Sequence, residues 1–199
     1  MAYNISLLDN HTIEKKKYFF DANIWLMILK PPVTLKPYQK QYLDFVEKFM
    51  KSSQNPKIVI PSLILSEVIN RYLRDVGMNI FIDKNGFTNV NSRFYKEIYR
   101  PSEQFKIDYE LLCDDIKSYS KHYEFIPDKL GEEFKSKHIL SSPPKGLDFN
   151  DHYYYLLAKK EKYSIVTDDG DFFVEDVEIL TLNSTLYQKA KDSVKPKIN

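Results

Sequence analysis

The sequence has little cysteine, little glycine and almost no excess of charge. A single cysteine, Cys113, excludes an internal disulfide framework. Lysine and arginine number 29 and aspartate and glutamate 28, so a net charge of +1 does not indicate a nucleic-acid partner by overall basicity. The first residues lack the apolar run of a secretion signal, and no later run approaches the length of a membrane span. We therefore expect a cytoplasmic protein without membrane association, in which any nucleic-acid binding is local.

The chain alternates between strand-like and helix-like segments. Apolar and β-branched runs predict short strands at 18–20, 57–60, 123–126, 163–167 and 177–182. Helical spacing predicts helices at 24–29, 36–51 and 128–138, with others beginning after Ser62, after Ser102 and near Asp148. Such alternation favours a mainly parallel sheet with helices on both faces. We expect one α/β domain over residues 1–199, with a loose lead-in at 1–16, an insertion at about 76–100 and a frayed tail from Lys189.

Five carboxylates lie in two tight groups between residues 147 and 172. Asp148 and Asp151 fall in the first turn of a predicted helix, because the apolar spacing that defines it begins just after them. The second group directly follows the strand predicted at 163–167 and consists of Asp168, Asp169 and Asp171. Because ligands bind at the carboxyl ends of parallel strands, this placement indicates a metal site.

Ordinary structural chemistry offers another interpretation of each acid. Asp148 could be a helix N-cap, and Asp21, which follows the strand at 18–20, could be another. Glu67 could simply pair with Arg71 four residues later. An acidic turn such as DDGD is common in loops, although an EF-hand is disfavoured because its glycine falls at the sixth position.

The order of four acidic segments along the chain resembles the PIN domain, a family of metal-dependent nucleases. The segments are FFDANIWL at 19–26, IPSLILSEVINRYL at 60–73, DFNDHYYYLLA at 148–158 and IVTDDGDF at 165–172. Together they span nearly the whole chain, and the last is the most specific. The resemblance, to the PilT N-terminus-like and VapC-type ribonucleases, implies a three-layer α/β/α fold with a mainly parallel sheet.

The resemblance also implies roles for individual residues. The catalytic and metal-binding acids would be Asp21, Glu67, Asp151 and Asp169, with Asp171 as a further metal ligand and with Asn23, Thr167, Asp148 and Asp168 in support. A set of oxygen ligands suits Mg²⁺ or Mn²⁺, as one or two ions. Such ions would activate a water and stabilise the charge on a phosphodiester, with a 5′-phosphate and a 3′-hydroxyl as the implied products.

The predicted function is therefore metal-dependent endoribonuclease activity on RNA, and the protein could be a toxin whose antitoxin blocks the acidic pocket. The chain is longer than the small toxin members, chiefly between Arg74 and Gly146, which argues against a toxin. A non-catalytic RNA- or partner-binding PIN-like domain and a structure-specific DNA nuclease remain alternatives. The oligomeric state is open, with a homodimer among the options.

Residues 76–100 mix aromatic rings with three cations, Arg93, Lys96 and Arg100. Single-stranded nucleic acid is held by such mixtures of cations and stacking rings, so these three are candidate substrate-binding residues. An irregular surface insertion is the alternative interpretation.

Overall fold

Six parallel strands form the central sheet in a computed structural model that describes residues 3–127, 140–144 and 146–194. Helices flank this sheet, which confirms the predicted three-layer α/β/α class. The strands are β1 (Asn4–Leu7), β2 (Lys17–Phe20), β3 (Lys57–Ile60), β4 (Tyr123–Phe125), β5 (Ser164–Val166) and β6 (Glu178–Thr181). They lie side by side in the order β1-β6-β5-β2-β3-β4, and each neighbouring pair is parallel.

Six of the seven α-helices in the described part of the chain lie in the connections between strands, and the seventh follows β6. The seven are α1 (Ala22–Leu29), α2 (Pro37–Lys51), α3 (Ser62–Tyr72), α4 (Met78–Asn85), α5 (Glu103–Ser118), α6 (Phe149–Glu161) and α7 (Ser184–Val194). The helix predicted at 128–138 lies outside the described residues. Within the described part of the chain, no helix has the length and apolar character needed to cross a membrane.

Residues 4–7 and 184–194 are more ordered than the sequence suggests. The predicted loose lead-in contains β1, which pairs with β6 at the edge of the sheet and buries Ile5. The segment NISL has too few apolar residues to signal a strand, and its ladder partner lies more than 170 residues away. The predicted fraying from Lys189 is wrong as far as Val194, because α7 continues there and packs Leu186 and Ala190 into the core.

The insertion at about 76–100 is largely helical rather than irregular. Helix α4 ends within this insertion at Gly86, which has φ +66°, the left-handed conformation typical of a helix C-cap. Two segments are π-helical, Leu73–Gly77 and Tyr95–Tyr99. A π-helical turn is wider than an α-helical one, so it breaks the 3.6-residue apolar spacing that sequence analysis relies on.

The strand order reverses direction between β2 and β5. From β2 the chain continues to β3 and β4 on one side, whereas β5, β6 and β1 lie on the other. These central strands are almost fully buried, as expected for a parallel sheet covered on both faces. A reversal of this kind opens a crevice at the carboxyl ends of the two strands, where α/β proteins bind their ligands.

Candidate active site

Asp21 lies at this crevice as the residue between β2 and α1. Its side chain is 4% exposed. Oδ1 accepts a hydrogen bond from the Ala22 backbone N–H at 2.7 Å, so Asp21 does act as a helix cap. Oδ2 accepts two more, from Asn23 Nδ2 at 3.1 Å and from Thr167 Oγ1 at 3.0 Å. The supporting roles predicted for Asn23 and Thr167 are consistent with these contacts, which fix the orientation of the carboxylate.

The pKa of Asp21 is raised to about 6. Burial is the largest cause, since the charged form loses hydration. Hydrogen bonds from Thr167 and Ala22 oppose this effect, and repulsion from Glu67 and Asp169 adds to it. Asp21 therefore lies near enough to two other predicted catalytic acids, Glu67 and Asp169, to interact with them electrostatically.

Glu67 reaches the same edge from α3, which begins just after β3. Oε2 accepts hydrogen bonds from Asn150 Nδ2 at 3.2 Å and from the Tyr154 hydroxyl at 3.0 Å. Oε1 lies 3.5 Å from Nη1 of Arg71, so the predicted helical ion pair is present. Glu67 also accepts hydrogen bonds from two residues of α6, however, which is more than a simple surface ion pair would require. These donors hold Glu67 beside the N-terminal half of α6.

Asp151 is the third residue of α6, and Asp148 is its N-cap. The Asp151 backbone N–H donates to Asp148 Oδ1 at 3.0 Å, and the Asp148 N–H lies 3.4 Å from Asp151 Oδ2. This capping box confirms the structural interpretation of the pair. The pKa of Asp151 is nevertheless raised to about 7 by burial, then by repulsion from Asp148 and Asp21, with a smaller contribution from Asp169. The cap therefore places Asp151 within electrostatic range of the other acids.

Asp169 is linked to Asp21 through Thr167. The Thr167 hydroxyl donates to Asp21 and accepts from the Asp169 backbone N–H at 2.9 Å. The turn continues with a bond from the Asp171 N–H to Asp169 Oδ1, also 2.9 Å long. One buried threonine thus connects the ends of β2 and β5 across the switch point.

Asp171 and Asp168 face different surroundings. Asp171 is exposed and lines an open groove of about 700 Å³, together with Tyr3, Gly146, Tyr155, Phe173 and Lys189 among others. The pKa of Asp168 is raised by burial, an effect that a hydrogen bond from the Tyr42 hydroxyl opposes and the charge of Asp169 augments. Its backbone oxygen accepts from Asn183 at 3.1 Å. Metal ligation by Asp171 and support by Asp168 stay predictions.

The donor set fits a hard divalent cation, because it consists of carboxylate oxygens that repel one another unless a cation neutralises them. In the described part of the chain, however, no three His, Cys, Asp or Glu side chains are arranged to hold a metal ion. An ion bound here would have to draw the carboxylates closer together. Metal binding is accordingly a prediction supported by donor chemistry and not by coordination geometry.

The three candidate substrate-binding cations of the insertion lie at the surface of the protein. Nη1 of Arg93 lies 3.8 Å from Glu97 Oε1, and both side chains are largely exposed. Lys96 and Arg100 are exposed as well. Their predicted role in substrate binding stays a prediction.

Sequence analysis missed the polar residues that surround the acids. Asn150 and Tyr154 hold Glu67, and Arg71, for which the sequence indicated only the pair with Glu67, also donates to Asn23. Tyr154 could have been found from its spacing, since it lies three residues after Asp151 and hence on the same side of the helix. The other two contacts depend on which helices pack together, which local spacing does not encode.

Comparison with known proteins finds a likeness among solved structures. No protein-family model matches the sequence, and neither does any curated protein. Among solved structures, the chain is similar to one in the crystal structure of VapBC2 from Rickettsia felis bound to a DNA fragment from their promoter. The two share 17% identity with a TM-score of 0.46, over 83% of this chain and 98% of the other. At this level of similarity we draw neither family membership nor function from the match.

Proposed function

We propose that this protein is a metal-dependent endoribonuclease that hydrolyses phosphodiester bonds of RNA. The observation that carries the proposal is that four acids, from separate segments between residues 21 and 169, interact electrostatically beside the switch point of the parallel sheet. The pKa of Asp21 and the pKa of Asp151 are both raised in part by the other acids. Mutually repelling carboxylates are costly for a folded protein, and binding a cation is the function that best accounts for them.

The ion would be held by Asp21, Glu67, Asp151 and Asp169, with Asp171 at the margin. A bound Mg²⁺ or Mn²⁺ would supply Lewis-acid activation of water and neutralise charge on the phosphate. The protein's own contribution is orientation. Thr167 and Asn23 fix the carboxylate of Asp21, and Asn150 and Tyr154 fix that of Glu67.

Asp21 and Asp151 must be ionised to bind a cation. Because the pKa of each is raised to between about 6 and about 7 in the metal-free protein, ion binding releases protons near neutral pH. We therefore expect the affinity for the ion to rise with pH through this range.

The finer parts of the proposal concern the biological setting. A toxin role would require an antitoxin that covers the acidic edge, and a cytoplasmic location is part of the same proposal. Co-expression with the product of a neighbouring small reading frame tests the toxin role, since an antitoxin would copurify with this protein and suppress cleavage. The oligomeric state, including a homodimer, is measured in the same preparation.

The test of the activity is cleavage of labelled single-stranded RNA and DNA with Mg²⁺, with Mn²⁺ and with EDTA. The wild-type protein should cut RNA in the presence of either ion and should be inactive in EDTA. Asp21→Asn and Asp151→Asn should each lower the rate by about a hundredfold or more while the protein stays folded. Asp114→Asn is the control, because Asp114 is exposed near the end of α5, which leads into the amino end of β4 and not into the carboxyl ends where the acids lie.

Each alternative predicts a different result in this assay. A non-catalytic domain would bind RNA without cutting it, and a DNA nuclease would cut only DNA. Wild-type activity in Asp21→Asn, or cleavage that survives EDTA, would contradict the proposed site.

A further inference from the structure

Arg71 is a cation placed directly against the acids. It lies on α3, four residues after Glu67. Its Nη2 donates to Asn23 Oδ1 at 3.0 Å, and its Nη1 lies 3.5 Å from Glu67 Oε1. Asn23 in turn donates to Asp21, so one amide separates the guanidinium from the most buried acid. The Arg71 side chain is nevertheless 40% exposed.

A helical ion pair alone does not account for this arrangement. The closer contact of Arg71 is the hydrogen bond to the Asn23 amide oxygen, and its distance to the Glu67 carboxylate is longer. Pairs four residues apart on a helix contribute only a few tenths of a kcal/mol. Asn23 and Glu67 together hold the guanidinium at a fixed place beside the acids, which reduces the conformational entropy it would lose on binding a ligand.

The guanidinium keeps donors for another partner. Within the described part of the chain, one hydrogen bond is formed by the five N–H groups of Arg71, the bond to Asn23. The planar fork of a guanidinium matches two oxygens of a phosphate, and arginine is more weakly hydrated than lysine. A half-exposed arginine beside an anionic site is therefore suited to bind a phosphate group.

The charge of the site makes such a residue necessary. A nucleic-acid strand carries a negative charge at every phosphate, and the acids at the switch point repel it. A cation at the rim offsets this repulsion at the place where the strand must approach most closely. Arg71 meets this requirement through the contacts described above.

We propose that Arg71 binds a backbone phosphate of the RNA next to the scissile bond and so holds the strand across the acids. This inference rests on the proposed function and extends it by assigning a substrate-binding residue. The proposed roles of Asp21, Glu67, Asp151 and Asp169 are unchanged, because Arg71 would bind the substrate and these acids would bind the ion. The candidate substrate-binding residues of the insertion would then act farther along the strand.

The test measures binding without catalysis. A short fluorescein-labelled single-stranded RNA is titrated in EDTA against wild-type protein, Arg71→Gln, Arg71→Lys and Lys51→Gln, over a series of NaCl concentrations. Lys51 is the matched control: it pairs with Glu47 four residues earlier, as Arg71 pairs with Glu67. It is the last residue of α2, which leads into the amino end of β3, whereas the acids follow the carboxyl ends of β2 and β5. Thermal melting of each variant shows that it is folded.

Arg71→Gln should bind about tenfold more weakly, because a hydrogen bond to a charged group is lost. The slope of log affinity against log salt should fall by about 0.7, the value for one phosphate contact of a single strand. Arg71→Lys should keep the slope, since it keeps the charge, but should bind more weakly than wild type because it lacks the fork. Lys51→Gln should stay within about twofold of wild type. In cleavage assays with Mg²⁺, Arg71→Gln should raise KM more than it lowers kcat.

Two results overturn the inference by itself. In the first, the wild type binds or cuts RNA, and Arg71→Gln has the same affinity and the same dependence of affinity on salt. The other is an equal loss in Lys51→Gln, which would show that only overall charge matters. A wild type that neither binds nor cuts RNA overturns the nuclease proposal, and the role of Arg71 falls with it.

Discussion

Replacing Asp21 with asparagine should change how the stability of the metal-free protein depends on pH. Burial and the nearby charges of Glu67 and Asp169 raise the pKa of Asp21 from 3.8 to about 6 in the folded protein. In the unfolded chain the carboxyl returns to its ordinary pKa. Between these two values the folded protein holds a proton that the unfolded chain has released. The stability that Asp21 contributes is therefore complete below about pH 4 and is lost as the pH rises through 6.

The size of the loss follows from the two pKa values. A raise from 3.8 to about 6, at about 1.4 kcal/mol for each pH unit, corresponds to a loss of about 3 kcal/mol above pH 7. Solvent screening reduces this loss of stability only slightly, because Asp21 is 4% exposed. Asparagine does not titrate and so escapes the loss.

Asparagine has a cost of its own at every pH. Oδ2 of Asp21 accepts hydrogen bonds from Asn23 and Thr167, and the amide NH₂ of an asparagine placed there would face both donors. This mismatch should destabilise the variant by about 1 to 2 kcal/mol. Asp21→Asn should therefore be less stable than wild type at pH 4 and more stable at pH 8, so the sign of the difference reverses.

Urea unfolding in EDTA at pH 4, 6 and 8 measures this difference. The single tryptophan, Trp25, is 2% exposed on α1 and reports unfolding by its fluorescence. Asp114→Asn is again the control, since its carboxylate is exposed. If wild type and Asp21→Asn keep a constant difference within about 0.5 kcal/mol from pH 4 to pH 8, the carboxylate is not buried among like charges and the reasoning is refuted.

Addition of Mg²⁺ at pH 8 extends the same experiment. An ion that binds only the folded state stabilises it by about 2.7 kcal/mol at a concentration one hundred times its Kd. Wild type should gain this stability and Asp21→Asn should gain far less. An equal gain in both proteins would show that the ion binds elsewhere.

Two further predictions concern α6. Tyr154→Phe removes one donor to Glu67 and should lower stability by about 1 to 2 kcal/mol and reduce cleavage. Tyr109→Phe, at an exposed ring on α5, should change neither, and equal effects of the two substitutions in urea unfolding and cleavage assays would count against a specific role for the Tyr154 hydroxyl. Asp148→Ala should cost about 1 kcal/mol through loss of the N-cap, whereas Asp148→Asn should keep the cap. Both changes should lower the pKa of Asp151, measured by carboxyl NMR titration, because both remove the charge of Asp148. An unchanged titration would show that repulsion between these two acids is unimportant.

Local patterns determined most of the secondary structure. Five of the six strands were predictable from runs of apolar and β-branched residues, and the helix beginning at Pro37 from its apolar spacing, because both signals are properties of neighbouring residues. The N-cap at Asp148 was predictable for the same reason. The edge strand β1 was not, since four residues with one buried side chain carry too little signal.

The sequence by itself determined which acids are present and the order in which they follow the predicted strands and helices. Only the tertiary structure decided that Thr167 bonds to Asp21 across 146 positions, that Tyr154 bonds to Glu67 across 87, and that Arg71 lies between Asn23 and Glu67. The physical reason is that each of these contacts needs two elements to pack at one edge of the sheet. Strand order sets that packing, and the spacing of residues within a single element carries no information about it.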